Sequence, residues 1–200
     1  MTGAGRRLVM ATANPGKVRE LGRMLADLDV EVVSMADLAL PSPVEDGATF
    51  EANALLKARA AARGAGLVAV ADDSGLEVDA LDGAPGVHSA RYAGAHGDDE
   101  ANNDTLLTAM EGVTDRSARF VSAVAVVAPD GREWAVRGTM EGEILHARDG
   151  DGGFGYDPIF RTEGQGVSNG RLTPQDKDRL SHRGQALRAI LPVLEDLLLA

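Results

Sequence analysis

Asp72-Asp73-Ser74-Gly75 sets two carboxylates, a hydroxyl and a glycine in immediate succession. Paired carboxylates suit a hard-cation site or a general base. Neighbours in an extended chain point to opposite sides, so one acid can face a site while the other anchors the backbone. The same residue types are common turn formers, and a turn capping a strand is the plainer reading of this tetrapeptide by itself. A second stretch, Thr12-Ala13-Asn14-Pro15-Gly16-Lys17, opens a helix. Amides at a helix N-terminus with a lysine in the first turn make an anion site. Lys17 opposes the helix dipole there, which points to a bound anion. The four-residue spacer and second glycine of a Walker loop are missing.

A third stretch places glycines 150, 152, 153 and 155 around Phe154, followed by Tyr156-Asp157-Pro158. Glycine permits close backbone approach, and an exposed aromatic among glycines is a platform for a flat base. A loop with one anchoring aromatic fits the stretch equally well. A calcium loop fails because Phe154 takes the obligatory glycine position, and a dinucleotide fingerprint lacks its strand-to-helix setting. Lys177, His182 and Arg183 add cations near the C-terminus. Cations, carboxylates and a stacking aromatic together suit a nucleoside triphosphate with Mg²⁺.

The elements that must position these residues follow from periodicity. Arg7 to Ala13, Val30 to Ser34 and Leu67 to Ala71 read as strands. Leu76 to Leu81 alternates as a further, half-buried strand after the acidic turn. Val18, Leu21, Leu25 and Leu28 form the apolar stripe of a first helix, with Asn14 as its cap. Thr49 caps a second helix ending at Gly64, with Ala52, Leu55, Leu56 and Ala60 turned inward. Asn53 and Lys57 lie one turn apart on it, where such a pair is usually solvated. Asp98 to Met110 is a third helix whose acidic first turn suits the dipole. Ala118 to Ala128 and Arg132 to Gly138 form a hairpin, and Glu141 to His146 a third antiparallel strand. Thr173 caps a short helix carrying Lys177. A final helix opens at Ser181-His182-Arg183, with Pro192 expected to kink it or cost one hydrogen bond.

The chain of 200 residues, 44% hydrophobic, fits a single domain with a sizeable core. Its net charge of −11, from 20 basic against 31 acidic residues, disfavours nucleic acid and anionic membranes as partners. No run approaches the ~20 apolar residues of a membrane helix. The absence of cysteine excludes disulfides, zinc-thiolate sites and thiol nucleophiles, and cytoplasmic localisation is the expectation. The four histidines lack metal-ligand spacing.

Thr12 to Lys17, Asp46 to Lys57, Ala71 to Gly94, Gly152 to Phe160 and Ser181 to Ala186 resemble the signature blocks of the inosine triphosphate pyrophosphatase family, of the Ham1 type, in family order. The resemblance implies a mixed α/β sheet flanked by helices, with two lobes around a nucleotide-binding cleft. It implies a homodimer that hydrolyses the non-standard purine nucleotides ITP, dITP and XTP to monophosphate and pyrophosphate with Mg²⁺. By motif position, Thr12, Ala13, Asn14, Pro15, Gly16 and Lys17 hold the triphosphate. Asp73 is the catalytic carboxylate and, with Glu45, the metal side. Ser74 contacts substrate, while Phe154, Gly155, Tyr156, Asp157, Lys177, His182 and Arg183 surround base and phosphates. His182 and Arg183 can donate to a 6-oxo group, which adenine lacks. A related pyrophosphatase acting on a modified pyrimidine and a non-catalytic nucleotide-binding module are the competing readings.

Overall fold

A computed structural model describes residues 6–12, 14–173, 176 and 180–199, and only the backbone of Pro15 and Glu20. Six strands form one mixed sheet: β1 (Arg6–Met10), β2 (Val30–Ser34), β3 (Val68–Val78), β4 (Ser117–Val127), β5 (Glu133–Ile144) and β6 (Phe160–Thr162), in the order β2-β1-β3-β4-β5-β6. β1 runs parallel to both neighbours, with Leu8 opposite Val32 on one side and Val68 on the other. β6 runs antiparallel to β5. The longer helices are α1 (Pro15–Met24), α2 (Phe50–Ala65), α3 (Asp99–Ala109) and α4 (His182–Leu199).

Capping chemistry marks the helix starts. The side chains of Asn14, Thr49 and Asp98 accept from the backbone N–H groups of Gly16, Ala52 and Ala101. Ser181 Oγ accepts from Gly184 N–H at the head of α4. That helix continues through Pro192 to Leu199.

Five expectations fail. The acidic tetrapeptide is no turn: Asp72 to Gly75 lie within a single eleven-residue strand, β3. Polar residues can sit in a sheet interior when their side chains have partners, and both Asp72 and Ser74 do. Glu141 to His146 is not a third strand either, since β5 runs unbroken from Glu133 to Ile144. α2 passes Gly64 and stops at Gly66, whose φ of 66° is the left-handed stop. A Cβ at Gly64 would meet Leu40 Cδ2 at 2.8 Å, so that glycine serves packing. The buried face of α2 is Phe50, Asn53, Ala54, Ala58, Ala61 and Ala62, rotated from the expected one. β1 ends at Met10, short of Ala13.

The chain divides into two compact units. The first comprises residues up to Asp73, Ala123–Arg137 and residues from Ala186 on. Leu8, Met10, Leu21, Leu25, Val70, Val124, Leu187 and Ile190 pack in its core. The second comprises Ser74–Ser122 and Gly138–Gln185, with Leu76, Leu106, Met110, Tyr156, Ile159 and Phe160 in its core. Among the described residues no helix is long and apolar enough to cross a membrane.

Candidate active site

The alternation of a strand gives the two acids of β3 different surroundings. Asp72 is 3% exposed, and its Oδ2 accepts from Lys17 Nζ at 2.7 Å. The helix-start lysine that suggested a bound anion thus has a carboxylate of its own chain as counter-ion. Asp73 faces α2 and takes a hydrogen bond on each oxygen, from Lys57 Nζ at 3.1 Å and from Asn53 Nδ2 at 3.2 Å. Lys57 Nζ also donates to Glu45 Oε2 at 2.9 Å.

Asn53 and Lys57, expected to be solvated, are the pair the sequence undervalued. Asn53 is 3% exposed, and its Oδ1 accepts from Gly47 N–H at 2.8 Å, which turns its amide N–H toward Asp73. A Cβ at Gly47 would stand 2.6 Å from that Oδ1, so glycine is needed for the approach. The one-turn spacing was the available signal. What the sequence could not show was that α2 buries this face.

Burial pushes the Asp73 carboxyl above its ordinary value, outweighing the Lys57 ammonium and the Asn53 amide, which favour the charged form. Burial alone would depress Lys57, but Asp73 and Glu45 outweigh it and raise its affinity for the proton. The cluster is therefore a charged lysine between two acids, one of them poised as a proton acceptor.

A cavity of roughly 220 Å³ in the first unit is lined by Thr12, Lys17, Ser42, Glu45, Lys57 and Asp72, among others. Asn14 N–H donates to Thr12 Oγ1, and the Gly16 N–H is taken by the Asn14 cap. Ala13 and Lys177 lie outside the described residues, and of Pro15 only the backbone is described.

The remaining expected residues belong to the second unit. Ser74 Oγ donates to Ser122 Oγ at 2.9 Å. Phe154 is 73% exposed, while Tyr156 and Asp157 are buried at 4% each. The Tyr156 hydroxyl donates to the Ser89 carbonyl, and burial pushes its pKa up. Asp157 Oδ2 accepts from Phe154 N–H at 2.9 Å. Both residues thus shape the loop that carries Phe154. His182 and Arg183 open α4 and are half-buried, with the His182 ring stacked on Phe120 at 5.4 Å.

No three His, Cys, Asp or Glu side chains converge as a metal-ligand group among the described residues. Mg²⁺ needs fewer, because it is commonly held by one or two carboxylates together with substrate phosphates. Glu45 and Asp73 both present an oxygen to one cation, Lys57 Nζ, and such a hard-oxygen pair fits that ion.

The model of the Ham1 family matches residues 8–193. The chain belongs to the Ham1 family. The dITP/XTP pyrophosphatase of Corynebacterium efficiens is 50% identical to it over 203 residues, covering 96% of this chain and 98% of the relative. The Staphylococcus aureus Ham1 protein superposes with a TM-score of 0.90 at 38% identity, over 96% of this chain and 99% of that one. A nucleoside-triphosphatase / dITP/XTP pyrophosphatase from Mycobacterium abscessus gives a TM-score of 0.83 at 47% identity, over 94% and 99%. The Ham1 resemblance and the mixed α/β fold expected of it are both borne out.

Proposed function

We propose that this protein hydrolyses non-standard purine nucleoside triphosphates such as ITP, dITP and XTP to the monophosphate and pyrophosphate. The observation that carries this is the partly buried Asp73, held by Lys57 and Asn53 beside Glu45, in a chain half identical to proteins named dITP/XTP pyrophosphatase. Asp73 acts as general base. It orients a water toward the α-phosphorus and receives its proton as the oxygen–phosphorus bond forms. The bond from the α-phosphorus to the bridging oxygen breaks, and pyrophosphate departs with that electron pair. Its burial-raised pKa brings Asp73 closer to working pH, where a base is most effective. Lys57 holds the two acids in place before substrate arrives. Lys17, kept in position by Asp72, binds phosphate oxygens together with Thr12 and the start of α1.

Glu45 and Asp73 are the residues that would hold Mg²⁺, and the ion would supply positive charge against that developing on the leaving pyrophosphate. Phe154 stacks on the purine, and His182 and Arg183 donate to its 6-oxo group. Resemblance to the family supports a homodimer and the absence of cysteine a cytoplasmic location, and sedimentation of the purified protein tests the former.

The deciding experiment incubates the protein with Mg²⁺ and ITP, XTP, dITP, GTP or ATP and detects pyrophosphate separately from orthophosphate. Pyrophosphate released from ITP and XTP, with ATP poorly used, is the expected result. Orthophosphate as the first product overturns attack at the α-phosphorus, and ATP turned over as fast as ITP overturns the specificity.

A further inference from the structure

The backbone around Phe154 is held on both sides by side chains that the reaction itself does not require. Asp98 already caps α3, its carboxylate accepting from Ala101 N–H. The next residue, Asp99, turns its carboxylate instead to Gly155, accepting that residue's N–H at 2.6 Å. One helical turn on, Asn103 is 1% exposed, and its Nδ2 donates to the Gly155 carbonyl at 3.0 Å. Both polar groups of one peptide residue are thus gripped by two side chains at i and i+4 of one helix, the spacing that puts them on one face.

The grip falls where the chain is most in need of it. Gly155 has a φ of 60° and Gly153 one of 82°, left-handed conformations that glycine adopts without cost and that leave an unsupported loop many alternatives. Asp157 secures the N–H of Phe154 itself. The aromatic ring nevertheless remains 73% exposed. A fixed main chain beneath an exposed ring is a preorganised stacking platform, because the loop's entropy is lost on folding and not on binding.

We propose that Asp99 and Asn103 are positioning residues for base recognition, acting through the backbone of Gly155 on the presentation of Phe154. The proposal rests on the reading above that Phe154 stacks on the purine. Neither residue touches the reacting atoms, so their loss raises KM for ITP and leaves kcat nearly unchanged. The charge of Asp99 is not what matters, since Asn at this position keeps an accepting oxygen.

Two measurements test it on the whole 200-residue chain. Amide hydrogen exchange, read without nucleotide, follows the Phe154–Gly155 segment in D99A, D99N and N103A. Steady-state kinetics with ITP compares the same variants with F154A and the double variant F154A/D99A. Exchange in the segment should quicken about tenfold in D99A and N103A, as expected for losing a hydrogen bond of ordinary strength. KM should rise about fivefold in D99A with kcat within about twofold, be restored by D99N, and rise no further in F154A/D99A than in F154A, since an effect routed through one residue vanishes with it. Unchanged exchange in D99A and N103A overturns the grip. A D99A effect equally large in the F154A background, or one falling on kcat, overturns the route through Phe154. If exchange quickens but F154A itself leaves KM unchanged, the stacking reading fails and the positioning role with it, a result distinct from failure of the grip.

Discussion

Around Asp73, charged side chains from α2, β3 and the loop at Glu45 hold one another, and almost every group present is also a candidate for the chemistry. Around Phe154 the side chains of Asp99, Asn103 and Asp157 hold main chain, and a single exposed ring is what they present. The first arrangement stores electrostatic potential in a partly shielded place, where a lost partner changes the proton affinity of its neighbours. The second stores conformation, where a lost partner changes how often one geometry is populated. Substitutions in the first should therefore alter turnover and pH dependence, and those in the second should alter apparent affinity.

The largest effect is expected from D73N. Turnover of ITP should fall about 1,000-fold, the range of a lost general base. The fold should survive, because a neutral amide avoids the desolvation that burial imposes on the carboxylate. Circular dichroism and pyrophosphate release measured together check both halves. Activity within tenfold of the parent would remove Asp73 from the chemistry.

Stability separates the two partners of the Lys17–Asp72 pair. K17M withdraws the ammonium from a carboxylate whose side chain is only 1% exposed, and should lower the free energy of unfolding by about 3 kcal/mol. D72N should cost less, since Lys17 retains access to water. Urea midpoints of the two variants decide the order, and equal losses would contradict the burial asymmetry.

Next in size is K57M, with kcat/KM lowered about 100-fold, as when one preorganised donor is removed. Its pH profile carries the sharper test. In the parent, the acid limb reports protonation of Asp73 and should have its midpoint above the ordinary 3.8, because burial raises that group. The Lys57 cation favours the charged carboxylate, so removing it lets Asp73 keep its proton to higher pH. The limb should move upward. A downward shift would show that Lys57 does not act on Asp73 through its charge.

The smallest effect lies in the glycine loop. F154A should raise KM for ITP about tenfold, the loss of one stacking contact, with the pH profile unmoved. A shifted profile would erase the contrast between the two regions.

Local signals in the sequence carried the helix starts and the strand Val30–Ser34, because a cap or an apolar run needs no distant partner to be recognised. β3 was obscured because Asp-Asp-Ser-Gly carries turn propensity that tertiary pairing overrides. Lys17 lies 55 residues from Asp72, and Ser122 lies 48 from Ser74. The buried face of α2 was misjudged for a related reason. Leu55 and Leu56 are the larger apolar residues, yet Asn53 is the one enclosed, since Gly47 and Asp73 satisfy its amide. Of the site, the acids and the exposed aromatic were legible as residue types. The hydrogen bonds that give each its task were not, because they join elements distant in the chain.

The unbroken run of β3 also imposes a parity on this chain. Along an extended strand only odd or even positions share a face, so Asp72 and Asp73 are held to separate duties by phase alone. A single inserted residue between Val70 and Asp72 would exchange the phase of both acids at once, placing Asp72 opposite Lys57 and turning Asp73 to the face of Lys17 one strand repeat beyond the position Asp72 now holds. Two such insertions would restore the phase while displacing the pair along the strand. Outside the two acids themselves, the segment should therefore tolerate substitution far better than a change of length by one residue, although the residue types on either side of such a change would be the same.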